Sequence, residues 1–151
     1  MSLVRPREVL KQVADAIPED CRENIVVIGS LAAAHAFFTD EDAMLVQTKD
    51  IDCMLRPFHL SAEKGISIFQ CLRDRHWNPP SSGEFTDPGN AETADDRLPA
   101  IRLYPPGMNQ DAPDSWFIEL LSEPERSGDR SRRWIRLDTN EGHYGLPVFP
   151  F

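Results

Sequence analysis

Cysteine is scarce in this chain, with only Cys21, Cys53 and Cys71 among 151 residues. They are odd in number, widely spaced and set among apolar neighbours. That pattern offers neither a disulfide framework nor the paired spacing of a zinc site, and it reads as reduced, buried thiols in a cytoplasm. Long apolar runs are also missing. None approaches the roughly 18–20 residues that cross a bilayer, so no membrane partner is expected. The first residues, Met1 to Arg7, are basic with no apolar stretch behind them, which argues against a signal peptide. Positive charge is in deficit: 16 Lys and Arg face 25 Asp and Glu, for a net charge of −9. Bulk nucleic-acid binding is therefore not expected. A small anionic substrate stays compatible, because a bound metal neutralises its charge locally.

What is present is an ordinary soluble composition, 40% hydrophobic and 27% charged, long enough for a single domain over 1–151. Pro6 suits a first helical turn, and Val9, Leu10, Val13 and Ile17 recur on one helical face until Pro18 stops them. Ile25 to Ile28 reads as a buried central strand. Gly29-Ser30 follows at once, and then an alanine-rich helix from Leu31 to Phe38. An acidic loop at Asp40, Glu41 and Asp42 precedes the strand that carries Asp50 and Asp52. Ser61 is a candidate N-cap for a helix striped by Ile66, Phe69 and Leu72. Between 78 and 97, Pro, Ser, Gly and acids dominate, which predicts a long mobile loop. Strands resume over Leu98–Tyr104 and Ser115–Leu121. Trp134–Leu137 and Tyr144–Val148 then flank a six-residue loop in a C-terminal β-hairpin. The apolar end, Val148 to Phe151, predicts cover from a protein partner or from a further helical segment after Phe151.

Chemistry concentrates in three places. On a strand, Asp50 and Asp52 share one face while Ile51, Cys53 and Leu55 share the other. Two carboxylates held together repel, and a divalent cation with a taste for hard oxygen ligands, such as Mg²⁺, is the usual remedy. The bland alternative is a solvated strand end. Gly29 and Ser30, between a strand and a helix N-terminus, present backbone N–H groups and a hydroxyl to a phosphate, or else simply cap the helix. Glu119 lies inside the apolar run Trp116-Phe117-Ile118-Glu119-Leu120-Leu121, where an acid is costly unless paired, protonated or metal-bound.

In order and spacing, Ile28-Gly29-Ser30, Asp50-Ile51-Asp52-Cys53 and Ile118-Glu119-Leu120 resemble the signature of the polymerase-beta-like nucleotidyltransferase superfamily. The fuller strings Gly29 to His35 and Thr48 to Asp52 look most like its bacterial branch of AbiEii-type toxin nucleotidyltransferases. The resemblance implies an α+β fold, a small mixed β-sheet flanked by helices, with the three acids converging on its open face. It implies two Mg²⁺ ions on Asp50 and Asp52, with Glu119 contributing to the catalytic metal or acting as general base. Gly29 and Ser30 would hold the phosphates of an NTP such as ATP. Lys49, the adjacent cation, is kept as a nucleotide-binding candidate although alternation turns it from the face of Asp50. His35, Arg56 and Lys64 are weaker candidates.

Two functions follow. One is a Mg²⁺-dependent transferase moving an NMP from an NTP to a hydroxyl on a small molecule, RNA or protein, with a toxin–antitoxin role among its settings. The other is a non-catalytic module of the same fold that binds nucleotide or a protein partner. A plain α+β domain with solvated acids is the remaining reading.

Overall fold

Two side-chain rows across one sheet govern the architecture, and both begin in the alternation of Asp50 to Leu55. The computed structural model describes residues 3–4, 6–28, 46–47, 50–125 and 132–149. In chain order the elements are β1 (Leu3–Val4), α1 (Pro6–Ala16), β2 (Ile25–Ile28), β3 (Val46–Gln47), β4 (Asp50–Leu55), α2 (Ser61–Asp74), β5 (Arg102–Leu103), β6 (Phe117–Ser122), β7 (Trp134–Thr139) and β8 (Gly142–Pro147). Short 3-10 turns lie at Glu19–Asn24, Phe58–Leu60 and Asp95–Arg97. The helix expected over Leu31–Phe38 and the acidic loop after it lie outside the described residues.

The main sheet has the order β2-β4-β6-β5. It is mixed: β4 runs antiparallel to β2 and parallel to β6, and β6 runs antiparallel to β5. The parallel pair needs a crossover, and α2 with the irregular chain after it supplies one. β1 and β3 form a separate antiparallel pair, and β7 and β8 form the C-terminal hairpin. The chain is thus mixed α+β, with helices against a small mixed sheet and an antiparallel hairpin at its end.

One face of the sheet is the core. Ile51, Ile118 and Leu103 lie opposite one another across three strands, each at most 1% exposed. Val13 and Ile17, Ile68, Phe69 and Leu72, and the hairpin residues Leu137, Tyr144 and Leu146 belong to the same cluster. Cutting one such side chain back to alanine typically costs about 2–5 kcal/mol. Gly65 explains how closely α2 is pressed. A Cβ there would stand 3.2 Å from Leu137 Cδ1 in the hairpin and 3.3 Å from Leu55 Cδ1 in the sheet, so a poor helix former is retained where two layers meet. Arg75, just past α2, donates through Nη1 to the Asp15 and Ala16 carbonyls at 2.7 and 2.8 Å. It thereby serves the unpaired carbonyls at the end of α1.

Several expectations change. Ile25–Ile28 is, among the described residues, an edge strand paired only with β4, and all four side chains are half-buried. Ile25 and Val27 pack against the core. Ser61 is the first helical residue and not the cap. Its buried hydroxyl lies 2.8 Å from that of Ser122, so it ties α2 to β6. The hairpin loop is two residues, Asn140 and Glu141, because the strands run on to Thr139 and Gly142. The Thr139 hydroxyl donates to the Gly142 carbonyl at 2.8 Å and accepts from the Glu141 N–H at 3.2 Å. Gly142 itself has φ +136°, and a Cβ on it would meet Pro88 at 2.6 Å. The strand expected over Leu98–Tyr104 shortens to two residues, since this stretch changes neighbours: Ala100 bridges to Gly145, Arg102 and Leu103 pair with β6, and Tyr104 bridges to Asn78.

The segment from 78 to 97 is irregular, as its composition predicts, and backbone pairing fastens it at its start and again midway. Asn78 and Tyr104 exchange backbone hydrogen bonds at 3.0 and 2.8 Å, and Gly89 and His143 do so at 2.8 and 3.0 Å. Among the described residues no helix is long and apolar enough to cross a membrane. The three cysteines are free thiols.

Candidate functional site

The second row crosses the face opposite the core. Ile28, Asp52, Glu119 and Arg102 are register partners across β2, β4, β6 and β5 in turn. Directly paired residues on neighbouring strands project their side chains to the same face, with Cβ atoms roughly 5 Å apart. Asp50 joins them two residues along β4, opposite Phe117. The strand period thus accounts for Asp50 and Asp52 sharing a face, while Ile51, Cys53 and Leu55 are buried.

The row is crowded with negative charge. Asp50 is exposed at the strand end and Asp52 is half-buried. Burial, then the charge on Asp50, then that on Glu119 push the Asp52 pKa up to about 6, with Arg102 pulling weakly the other way. Glu119 is the acid whose burial required a partner, and it has one: Arg102 Nε donates to Glu119 Oε1 at 2.8 Å, with the two side chains 30% and 19% exposed. The guanidinium also lies against two rings, its Cζ 3.9 Å from the ring centre of Phe85 and 5.1 Å from that of Phe117. Arg102 is the residue that sequence reasoning passed over. Its only trace there is the alternation of Arg102 with Ile101 and Leu103, which reveals a face but no partner.

Glu119 is drawn toward Arg102, and among the described residues no three His, Cys, Asp or Glu side chains are already gathered as a metal cage. The donor chemistry nonetheless suits Mg²⁺: Asp50, Asp52 and Glu119 are all hard oxygen donors on one face. Gly29, Ser30 and Lys49, the residues considered for phosphate, lie outside the described residues, as does His35. Ile28, the residue before Gly29, is the register partner of Asp52. Arg56 is exposed and Lys64 is on α2; neither enters the row. Cys53, buried on the core face, has its thiol pushed up to about 12, first by burial and then by Asp52, so it stays protonated and is no nucleophile.

A cavity of about 530 Å³ opens beside this row, with Glu119, Arg102, Phe85, Leu98, Trp134 and Pro147 in its walls. A shallower groove of about 490 Å³ runs along α1 past Lys11, Asp15, Arg75 and Trp77. Its cations are already engaged, Lys11 with Asp15 at 2.7 Å and Arg75 with the end of α1, and none of the three acids lines it.

No protein-family model, curated protein or solved structure matches the chain. The functional reading therefore rests on the residues and their geometry.

Proposed function

We propose that this chain is a Mg²⁺-dependent nucleotidyltransferase of the nucleotidyltransferase fold, moving an NMP from an NTP to a hydroxyl acceptor as the α–β phosphoanhydride bond breaks and pyrophosphate leaves. The observation that carries the reading is the register: Asp52 lies directly opposite Glu119 on a parallel neighbour, with Asp50 two residues along the same face. Asp50 and Asp52 would hold two Mg²⁺ ions, and Glu119 would contribute to the catalytic one. When bound, the ions would neutralise phosphate charge and lower the pKa of the attacking hydroxyl. Burial and the neighbouring charges of Asp50 and Glu119 raise the Asp52 pKa, a strain of the kind a divalent cation relieves.

The chain's own part is positional. Strands β4 and β6 hold three carboxylates on a rigid face, which limits the reorganisation needed on substrate binding. Where Glu119 acts as general base in place of a metal ligand, it would accept the proton of the acceptor hydroxyl through the oxygen that Arg102 does not hold. Arg102 keeps that carboxylate oriented and offsets charge in the row. Gly29, Ser30 and Lys49 are proposed for the NTP phosphates on their sequence pattern. The acceptor belongs to the small-molecule, RNA or protein hydroxyls, a toxin–antitoxin setting is in keeping with the sequence resemblance, and three free thiols suit a reducing cytoplasm.

One observation favours the second reading, a non-catalytic module that binds nucleotide or a protein partner. The Arg102–Glu119 pair neutralises the third acid without any metal. Titration with Mg²⁺ and each labelled NTP, followed by incubation with a pool of hydroxyl acceptors, separates the two. The transferase reading expects metal-dependent NTP binding that disappears in Asp52→Ala, and transfer of label. Metal-dependent binding that survives Asp52→Ala, or binding with no transfer to any acceptor, sinks it.

A further inference from the structure

The 530 Å³ cavity beside Glu119 has a consistent chemistry of its own. It falls within the roughly 300–1,000 Å³ typical of pockets that enclose small organic ligands. Phe85 and Trp134 supply aromatic surface, and Leu98 with the rings of Pro99 and Pro147 supply further apolar wall. Flat apolar walls of this kind take a planar ring, and stacking on aromatic side chains tolerates any base. The charged lining consists of Glu84, Asp96 and Glu119 against Arg97 and Arg102, and Arg102 is already committed to Glu119. One carboxylate is in excess, within a chain of net charge −9. A phosphorylated ligand would meet that excess, whereas an uncharged one with donors and acceptors at its edge would not.

We infer that this cavity is a binding site for an uncharged nucleoside, its base stacked against the Trp134 wall and a sugar hydroxyl toward Glu119. Glu119 is shared between the cavity and the acid row, so a hydroxyl seated there lies beside the oxygen that Arg102 leaves open. That the nucleoside is the acceptor of transfer rests on the nucleotidyltransferase reading. The binding itself does not, because no cavity residue other than Glu119 belongs to the proposed metal site.

The test is calorimetric titration of the full chain with adenosine, guanosine, cytidine and uridine, and with their 5′-monophosphates, in the absence of Mg²⁺ and NTP. We expect saturable binding of at least one nucleoside, weaker binding of its monophosphate, and a loss of roughly tenfold or more in Trp134→Ala. Trp134→Phe, which keeps an aromatic face, should restore most of the affinity and so exclude a mere folding defect. No nucleoside binding at millimolar concentration, tighter binding of the monophosphate, or an unchanged affinity in a folded Trp134→Ala variant overturns the proposal. The two readings fail separately. Nucleoside binding without Mg²⁺-dependent NTP binding removes the transferase and keeps the cavity site, and the reverse result removes the cavity site alone.

Discussion

Two clusters of charge in this molecule follow opposite rules. At the hairpin, Arg136 donates to the Asn90 and Thr93 carbonyls at 2.8 Å each and to Asp95 at 2.9 Å. It also pairs with Asp138, itself paired to His143. Asp95 and Asp138 are 63% and 67% exposed, so water serves their charge, and the cluster has an evident structural role in fastening residues 90 to 95 to the hairpin. In the sheet, three carboxylates share one face with Arg102, and Asp52 is half-buried and pressed by two like charges. Burial and that crowding raise the Asp52 pKa, although the row also reaches the 78–97 segment through Arg102 on Phe85. Charge held against its own electrostatics is a better sign of chemistry than charge that is well paired.

Substitutions in either cluster probe that contrast. The largest effect falls on transfer activity: Asp52→Ala should reduce labelled-NMP transfer by about 10³-fold or more, with the fold retained by circular dichroism. Next, Arg102→Met leaves Glu119 without its counter-charge and removes the stack on Phe85. A loss of about 2–3 kcal/mol is expected in urea unfolding, partly recovered when Mg²⁺ is added, since a cation can take over the neutralisation.

The pH dependence is subtler. The folded-state pKa of Asp52 is raised, so the folded protein binds the proton more tightly than the unfolded chain. Its contribution to stability is therefore complete below the unfolded value near 3.8 and is lost as pH rises through about 6. After allowance for solvent screening, ionisation destabilises the fold by on the order of 1–2 kcal/mol. Asp52→Asn should thus be more stable than wild type at pH 7 by about that amount, and the gap should close by pH 4 in denaturant titrations. Smallest of all, Arg136→Gln should cost about 1 kcal/mol, in line with partly exposed ion pairs and hydrogen bonds, and should leave the response to Mg²⁺ unchanged.

Legibility from sequence tracked how local each feature is. The shared face of Asp50 and Asp52 follows from strand period alone, and the helical stripes of α1 and α2 follow from theirs. Glu119 announced its need for a partner by standing among Phe117, Ile118 and Leu120. The identity of that partner did not show, because Arg102 reaches Glu119 only through the pairing of β5 with β6, and register is a property of the sheet. The same reason moved Ile25–Ile28 from the centre to an edge among the described residues: an apolar run reports burial and says nothing of strand order. Ser61 looked like a cap because Ser before a striped helix commonly is one, whereas here a second hydroxyl, Ser122, waited across the core. The hairpin was legible in kind but not in loop length, which depended on the Thr139 hydroxyl and the backbone of Gly142. The assignments to Gly29, Ser30 and Lys49 remain sequence readings.

Everything proposed for the acid row depends on its holding a divalent cation. Thermal unfolding of wild type and Asp52→Asn at pH 7, each with and without millimolar Mg²⁺, decides the point. Asp52→Asn should melt above wild type without metal, and Mg²⁺ should raise the wild-type Tm while leaving the variant unmoved. A wild-type Tm indifferent to Mg²⁺, or an equal rise in both proteins, would contradict it.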